Sequence, residues 1–87
     1  MFPYTEKLID NISYRLFTDE IDKKELVWHR DLEDREVEAL HPTDWKVQLD
    51  NRLPQTLTKI FIPKGVYHRV IKGTGPLEVK IKKFYGY

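Results

Sequence analysis

No cysteine occurs among the 87 residues, which excludes disulfides and thiolate zinc sites together. That absence suits a reducing compartment. No apolar run approaches the ~20 residues that a membrane helix needs, and no charged-then-apolar leader opens the chain. A soluble, cytoplasmic protein with no membrane partner is therefore expected. Internal repeats, linkers and low-complexity tracts are missing as well. At this length the chain is sized for one domain. Such a domain buries only about 60–65% of the surface its unfolded chain exposes, so every apolar strand matters.

Net charge is +1, but the charges are segregated. Residues 1–58 carry 8 Lys/Arg against 13 Asp/Glu, whereas residues 59–87 carry 7 against 1. A basic C-terminal third can attract nucleic acid or an anionic ligand. Lys80 and Lys82, however, alternate with Val79 and Ile81, the pattern of a solvated strand face that protects an edge. No nucleic-acid motif accompanies them, and no nucleic-acid partner is expected.

The chemistry is concentrated in two stretches, Val27-Trp28-His29-Arg30-Asp31 and Ile62-Pro63-Lys64-Gly65-Val66-Tyr67-His68. Side chains alternate along a strand, so His29 and Asp31 share one face while Trp28 and Arg30 share the other. A strand restarting after the Pro63-Lys64-Gly65 turn brings His68 towards them. Two imidazoles and one carboxylate with open positions form the ligand set used by non-haem Fe(II) oxygenases.

Along the chain, Pro3, Thr5 and the apolar Phe2, Leu8, Ile9 and Ile12 predict a short N-terminal helical segment ending near Asn11. An extended, aromatic run follows over Tyr14-Arg15-Leu16-Phe17. Strands are predicted over Glu25 to Asp31, Arg35 to Leu40, Trp45 to Asp50, Leu57 to Ile62, Tyr67 to Lys72 and Leu77 to Lys83. Alternation turns Arg35, Val37 and Ala39 one way and Glu36 and Glu38 the other. Short strands with turns every 8–12 residues, and no helix between them, predict an all-β sandwich or barrel. Residues 1–24 are read as an extension packed on a barrel formed by residues 25–87. His29, Asp31, Arg35 and His68 would line the barrel mouth.

With these residues in place, the sequence resembles the cupins, small double-sheet jelly rolls. Their first motif is typically His-x-His, three or four residues, then Glu, and their second is Pro-x-Gly-x-x-His. The first corresponds to His29-Arg30-Asp31 followed by Leu32-Glu33-Asp34-Arg35-Glu36. The second is complete as Pro63-Lys64-Gly65-Val66-Tyr67-His68. The wording WHRDLEDR and IPKGVYHRVIKG is similar to small cupin-like proteins of tailed bacteriophages and marine bacteria. The resemblance implies a double-stranded β-helix barrel, a divalent iron, manganese or zinc ion, no organic cofactor and a homodimer.

Two departures bear on function. Asp31 replaces the second His of the family and is itself a competent ligand. The family's Glu falls at Glu36 if four residues intervene, where alternation points outward, or at the inward Arg35 if three do. Arginine cannot bind metal. In one account, His29, Asp31 and His68 hold a metal and Arg35 clamps a small anionic compound, as an oxygenase or lyase would. In the other, Asp31 and Arg35 form a structural ion pair inside a metal-free binding or assembly module.

Overall fold

The protein is described from a computed structural model covering residues 4–22 and 26–85. Among these residues all regular structure is β. The strands are β1 (Thr5–Ile9), β2 (Ile12–Phe17), β3 (Asp34–Ala39), β4 (Lys46–Leu49), β5 (Gln55–Thr56), β6 (Lys59–Ile62), β7 (His68–Ile71) and β8 (Leu77–Phe84). They form a five-stranded sheet in the order β1-β2-β8-β3-β6 and a three-stranded sheet in the order β5-β4-β7. Every pairing is antiparallel.

The expected N-terminal helix is replaced by a hairpin. Ile9 pairs with Ile12 across Asp10 and Asn11, whose φ angles are 51° and 65°. Two consecutive positive φ values make a type I′ turn, whose twist matches that of the flanking strands. Asp and Asn are the non-glycine residues that enter this region most readily. The turn chemistry at these two positions therefore overrides the apolar spacing that suggested a helix. Phe2 and Pro3, also part of that expectation, lie outside the described residues.

Alternation decides which side chains meet between the sheets. Ser13, Arg15 and Phe17 of β2 stand opposite Ile81, Val79 and Leu77 of β8. Val37 and Ala39 of β3 stand opposite the same Ile81 and Val79. Phe17, Leu77, Val79 and Ile81 meet Val47 of β4 and Trp45, the residue just before that strand, in one buried cluster. Trp45 is wholly buried, and its indole Nε1–H donates to the Gly75 carbonyl at 3.1 Å. Burying each such large apolar side chain stabilises the fold by about 1.5–3 kcal/mol.

The outer face of the larger sheet resolves the charge segregation. Glu36 and Glu38 of β3 stand in register with Lys82 and Lys80 of β8, and with Phe61 and Lys59 of β6. Lys59 lies 3.6 Å from Glu36, and Lys80 lies 3.9 Å from Glu38. The acidic and basic parts of the chain are thus laid side by side.

The strand expected over Glu25 to Asp31 contracts to one bridge, His29 with His68. Here the His29 N–H donates to the His68 carbonyl at 3.0 Å, and the His68 N–H donates back at 2.8 Å. The Val27 carbonyl is bonded by the His29 ring and the Val66 carbonyl by the His68 ring, both at 2.9 Å. Glu25 lies outside the described residues.

Candidate metal centre

His68 opens β7 and is 4% exposed, whereas His29 sits at the rim of the same cavity. The two rings meet edge to face with centroids 4.3 Å apart. In each, Nδ1 faces the carbonyl two residues back, at a distance only a donated N–H satisfies. That bond fixes the tautomer and leaves Nε2 as a lone-pair donor, the arrangement common to metal-ligating histidines. Burial lowers the pKa of His68, and the neighbouring His29 and the Arg35 guanidinium act in the same direction. The Val66 carbonyl and the Asp31 carboxylate pull the other way without reversing it. A neutral His68 keeps its lone pair.

Asp31 enters the site through the loop before β3. Its carbonyl accepts the Gly65 N–H at 2.9 Å, and the nearby Asp34 Oδ1 accepts the Lys64 N–H at 2.8 Å. These bonds tie the Pro63-Lys64-Gly65 turn to the acidic loop, and Gly65, at φ +78°, supplies the left-handed residue the turn requires. Asp31 Oδ2 then stands 3.3 Å from His68 Nε2 and 3.3 Å from Arg35 Nε. It is buried and receives no hydrogen bond from the described residues.

His29, Asp31 and His68 each offer a ligand atom within 4.8 Å of the others. Bonds of about 2.0–2.2 Å place two donors on one ion about 3–4.4 Å apart, so the three stand near the spacing required. A buried carboxylate oxygen lacking a hydrogen-bond donor among the described residues, beside two imidazoles whose Nδ1 bonds leave the lone pair on Nε2, fits a divalent cation.

Arg35 projects inward, as its alternation with Val37 predicts. Its Nε and Nη2 reach Glu33 Oε1 at 2.7 and 2.6 Å. Glu36 faces outward beside Lys59 and is not part of the site. Arg69 also lies outside, stacked 4.9 Å over Trp28 and bonded to Gln48 at 3.0 Å. His41 is an exposed turn residue.

The site opens on a cavity of about 330 Å³ whose apolar wall includes Phe17, Val37, Val47, Leu57, Ile62 and Val70. Two members of the constellation were missed in the sequence. Glu33 looked like part of a charged loop. Arg15 looked like part of an aromatic run, although its spacing from Phe17 places both on one face. Arg15 lines the cavity too.

No protein-family model matches the sequence, and no curated protein matches it. Solved structures do match the fold. A cupin-2 domain containing protein from Shewanella frigidimarina superposes with a TM-score of 0.63 over 92% of this chain and 80% of its own, at 16% identity. The fold is that of the cupins.

Further structural matches include a lyase structure and an FeII protein in complex with substrate. A chain from crystal structures of the DMSP lyases RdDddP and RnDddQII gives a TM-score of 0.68 over 80% of this chain, at 16% identity. FeII HppE in complex with substrate gives 0.65 over 97% of this chain, at 13% identity. This chain spans 35% of the former and 54% of the latter. At such identities the likeness is one of fold. Among the described residues no helix is long and apolar enough to cross a membrane.

Proposed function

We propose that His29, Asp31 and His68 hold a divalent metal ion in a cupin-fold barrel that acts, as an oxygenase or lyase, on a small anionic compound. The observation that carries this reading is the buried Asp31 Oδ2, which lacks a hydrogen-bond donor next to two imidazoles whose Nδ1 atoms are committed elsewhere. The neighbouring folds lend support, one coming from work on lyases and another from an FeII protein in complex with substrate. Bound iron, manganese or zinc would supply Lewis-acid chemistry, and iron oxygen activation as well.

The chain's own residues have separate tasks. Arg35 pairs with Asp31, and Glu33 keeps Arg35 in place. Arg35 would also contact the anionic part of the substrate through its Nη1, to which no described residue is hydrogen-bonded. The apolar wall limits water around the reacting groups and strengthens the local electrostatics.

The 3.3 Å contact between Arg35 Nε and Asp31 Oδ2 favours a second reading, a metal-free barrel in which that pair is structural. Metal analysis of purified protein separates the two. Stoichiometric metal that is lost in both His29→Ala and His68→Ala supports the metal centre. Metal-free wild type after supplementation with iron, manganese and zinc would leave the scaffold reading.

A further inference from the structure

Arg15 is an inward residue of β2 with only 12% of its side chain exposed, and it lines the same cavity as the candidate metal ligands. A guanidinium at such a position is costly unless its charge is compensated. Glu6 compensates it through a single atom, bonding Nε at 2.6 Å. The Ser13 hydroxyl donates to the same Glu6 oxygen. Ser13, Arg15 and burial act on Glu6 together, and the net effect lowers its pKa, so it stays charged. The Tyr4 ring covers one face of the guanidinium at 4.3 Å. Arg15 is therefore held along one edge and one face, while its two Nη groups donate no hydrogen bond to the described residues.

Arg35 is held in a parallel way. Glu33 engages Nε and Nη2 and leaves Nη1. Two guanidinium groups, each fixed by its own carboxylate, thus present unused donors in one cavity. The rest of the lining is largely apolar and includes Phe17, Leu57 and Val70. Among the described lining residues Tyr4 is the one uncharged hydroxyl- or amide-bearing side chain, so a sugar or nucleoside would leave many polar groups unpaired.

We propose that Arg15 is a second specificity-determining residue, and that the cavity takes a small organic oxyanion with a short apolar body. The head is held between Arg15 and Arg35, and the body lies against the apolar wall. This rests on the reading of the cavity as a small-anion site. A cavity of about 330 Å³ lies at the small end of ligand pockets and suits a ligand the size of isovalerate or benzoate.

The test is calorimetric titration of the purified protein with isovalerate, benzoate, phenylphosphonate, the amides of the two acids, and succinate, with metal content measured on the same samples. Isovalerate, benzoate or phenylphosphonate should bind at least tenfold more tightly than the amides and succinate. Comparing benzoate with phenylphosphonate decides between carboxylate and phosphonate as the head. Arg15→Met should weaken binding of the favoured acid about tenfold or more, the scale of a lost charge-assisted pair. Arg15→Lys keeps the charge facing Glu6 but loses the fork. It should weaken binding several-fold with little change in melting temperature, so a fold defect in Arg15→Met would not obscure the result. Equal affinity for acids and amides, preference for succinate, no binding by wild type, or unchanged binding in both Arg15 variants would overturn the proposal. Metal without acid binding sinks this inference alone. Acid binding without metal sinks the metal centre alone.

Discussion

His29 and His68 are joined through their backbones before their side chains meet. Each donates its N–H to the other's carbonyl, at 3.0 and 2.8 Å, and each ring bonds the carbonyl two residues behind it. Residues 39 positions apart are thereby given matched orientations by a single β-bridge. The imidazole pair is preorganised by main-chain geometry, with the carboxylate of Asp31 set against it.

The Asp31–Arg35–Glu33 cluster gives asymmetric mutational effects. Asp31→Asn leaves Arg35 paired with Glu33, so stability should change by about 1 kcal/mol or less, while bound metal is lost. Arg35→Met leaves two little-exposed carboxylates, Asp31 and Glu33, without a cation and should cost about 3–5 kcal/mol. Denaturant unfolding of both variants with metal analysis checks this. Severe destabilisation by Asp31→Asn would support the structural ion pair instead.

Glu6 makes acid stability measurable. Its folded pKa is lowered by the Ser13 hydroxyl and by Arg15, so it binds a proton more readily in the unfolded chain. The resulting stabilisation is fully present above the unfolded value of about 4.3 and is lost as pH falls through the lowered folded value. Melting curves of wild type and Glu6→Gln from pH 7 to pH 3 should show a wild-type advantage that shrinks over that interval. An advantage independent of pH would contradict the assignment.

Gly73 is required by close approach. A β-carbon there would collide with Asp44 Oδ1 and fall 2.7 Å from the Trp45 backbone nitrogen. Asp44 in turn accepts both the backbone N–H and the hydroxyl of Thr74 at 2.8 Å. Gly73→Ala should therefore cost about 1–3 kcal/mol, the scale of overpacking, in chemical denaturation. No measurable change would mean that the Asp44 loop yields freely.

The N-terminal hairpin predicts a conformational penalty at Asn11. Its φ of 65° is poorly tolerated by a β-branched residue, so Asn11→Val should destabilise by about 1–2 kcal/mol. Asn11→Gly should be neutral or stabilising. In a helix the order would reverse, with glycine the worse residue. Thermal unfolding of the two variants decides between the hairpin and the helix.

Much of the site was legible because strand alternation is a local rule. The HxD spacing places His29 and Asp31 together, the Pro-x-Gly-x-x-His motif marks the return of His68, and alternation with Val37 turns Arg35 inward. The same rule kept Glu36 out of the site. Glu33 escaped notice because a loop has no period from which to read direction. Arg15 escaped because its neighbours Tyr14 and Phe17 made the stretch look like core alone. The hairpin was missed because apolar residues at positions 8, 9 and 12 suit a helix face as well as paired strands, and only the Asp10-Asn11 turn breaks the tie.

The sequence by itself determined the all-β class, the inward and outward residues of most strands, and the ligand types available, since periodicity and side-chain chemistry are properties of short segments. Tertiary structure alone decided that His68 bridges to His29, that Asp31 Oδ2 is left without a hydrogen-bond donor, and that Arg15 shares a cavity with Arg35. It also laid the basic strand β8 beside the acidic strand β3, so that a charge asymmetry along the chain becomes pairing across a sheet. Those outcomes depend on which strands become neighbours. That is settled by burying the apolar faces of both sheets around Trp45, over distances no local pattern encodes.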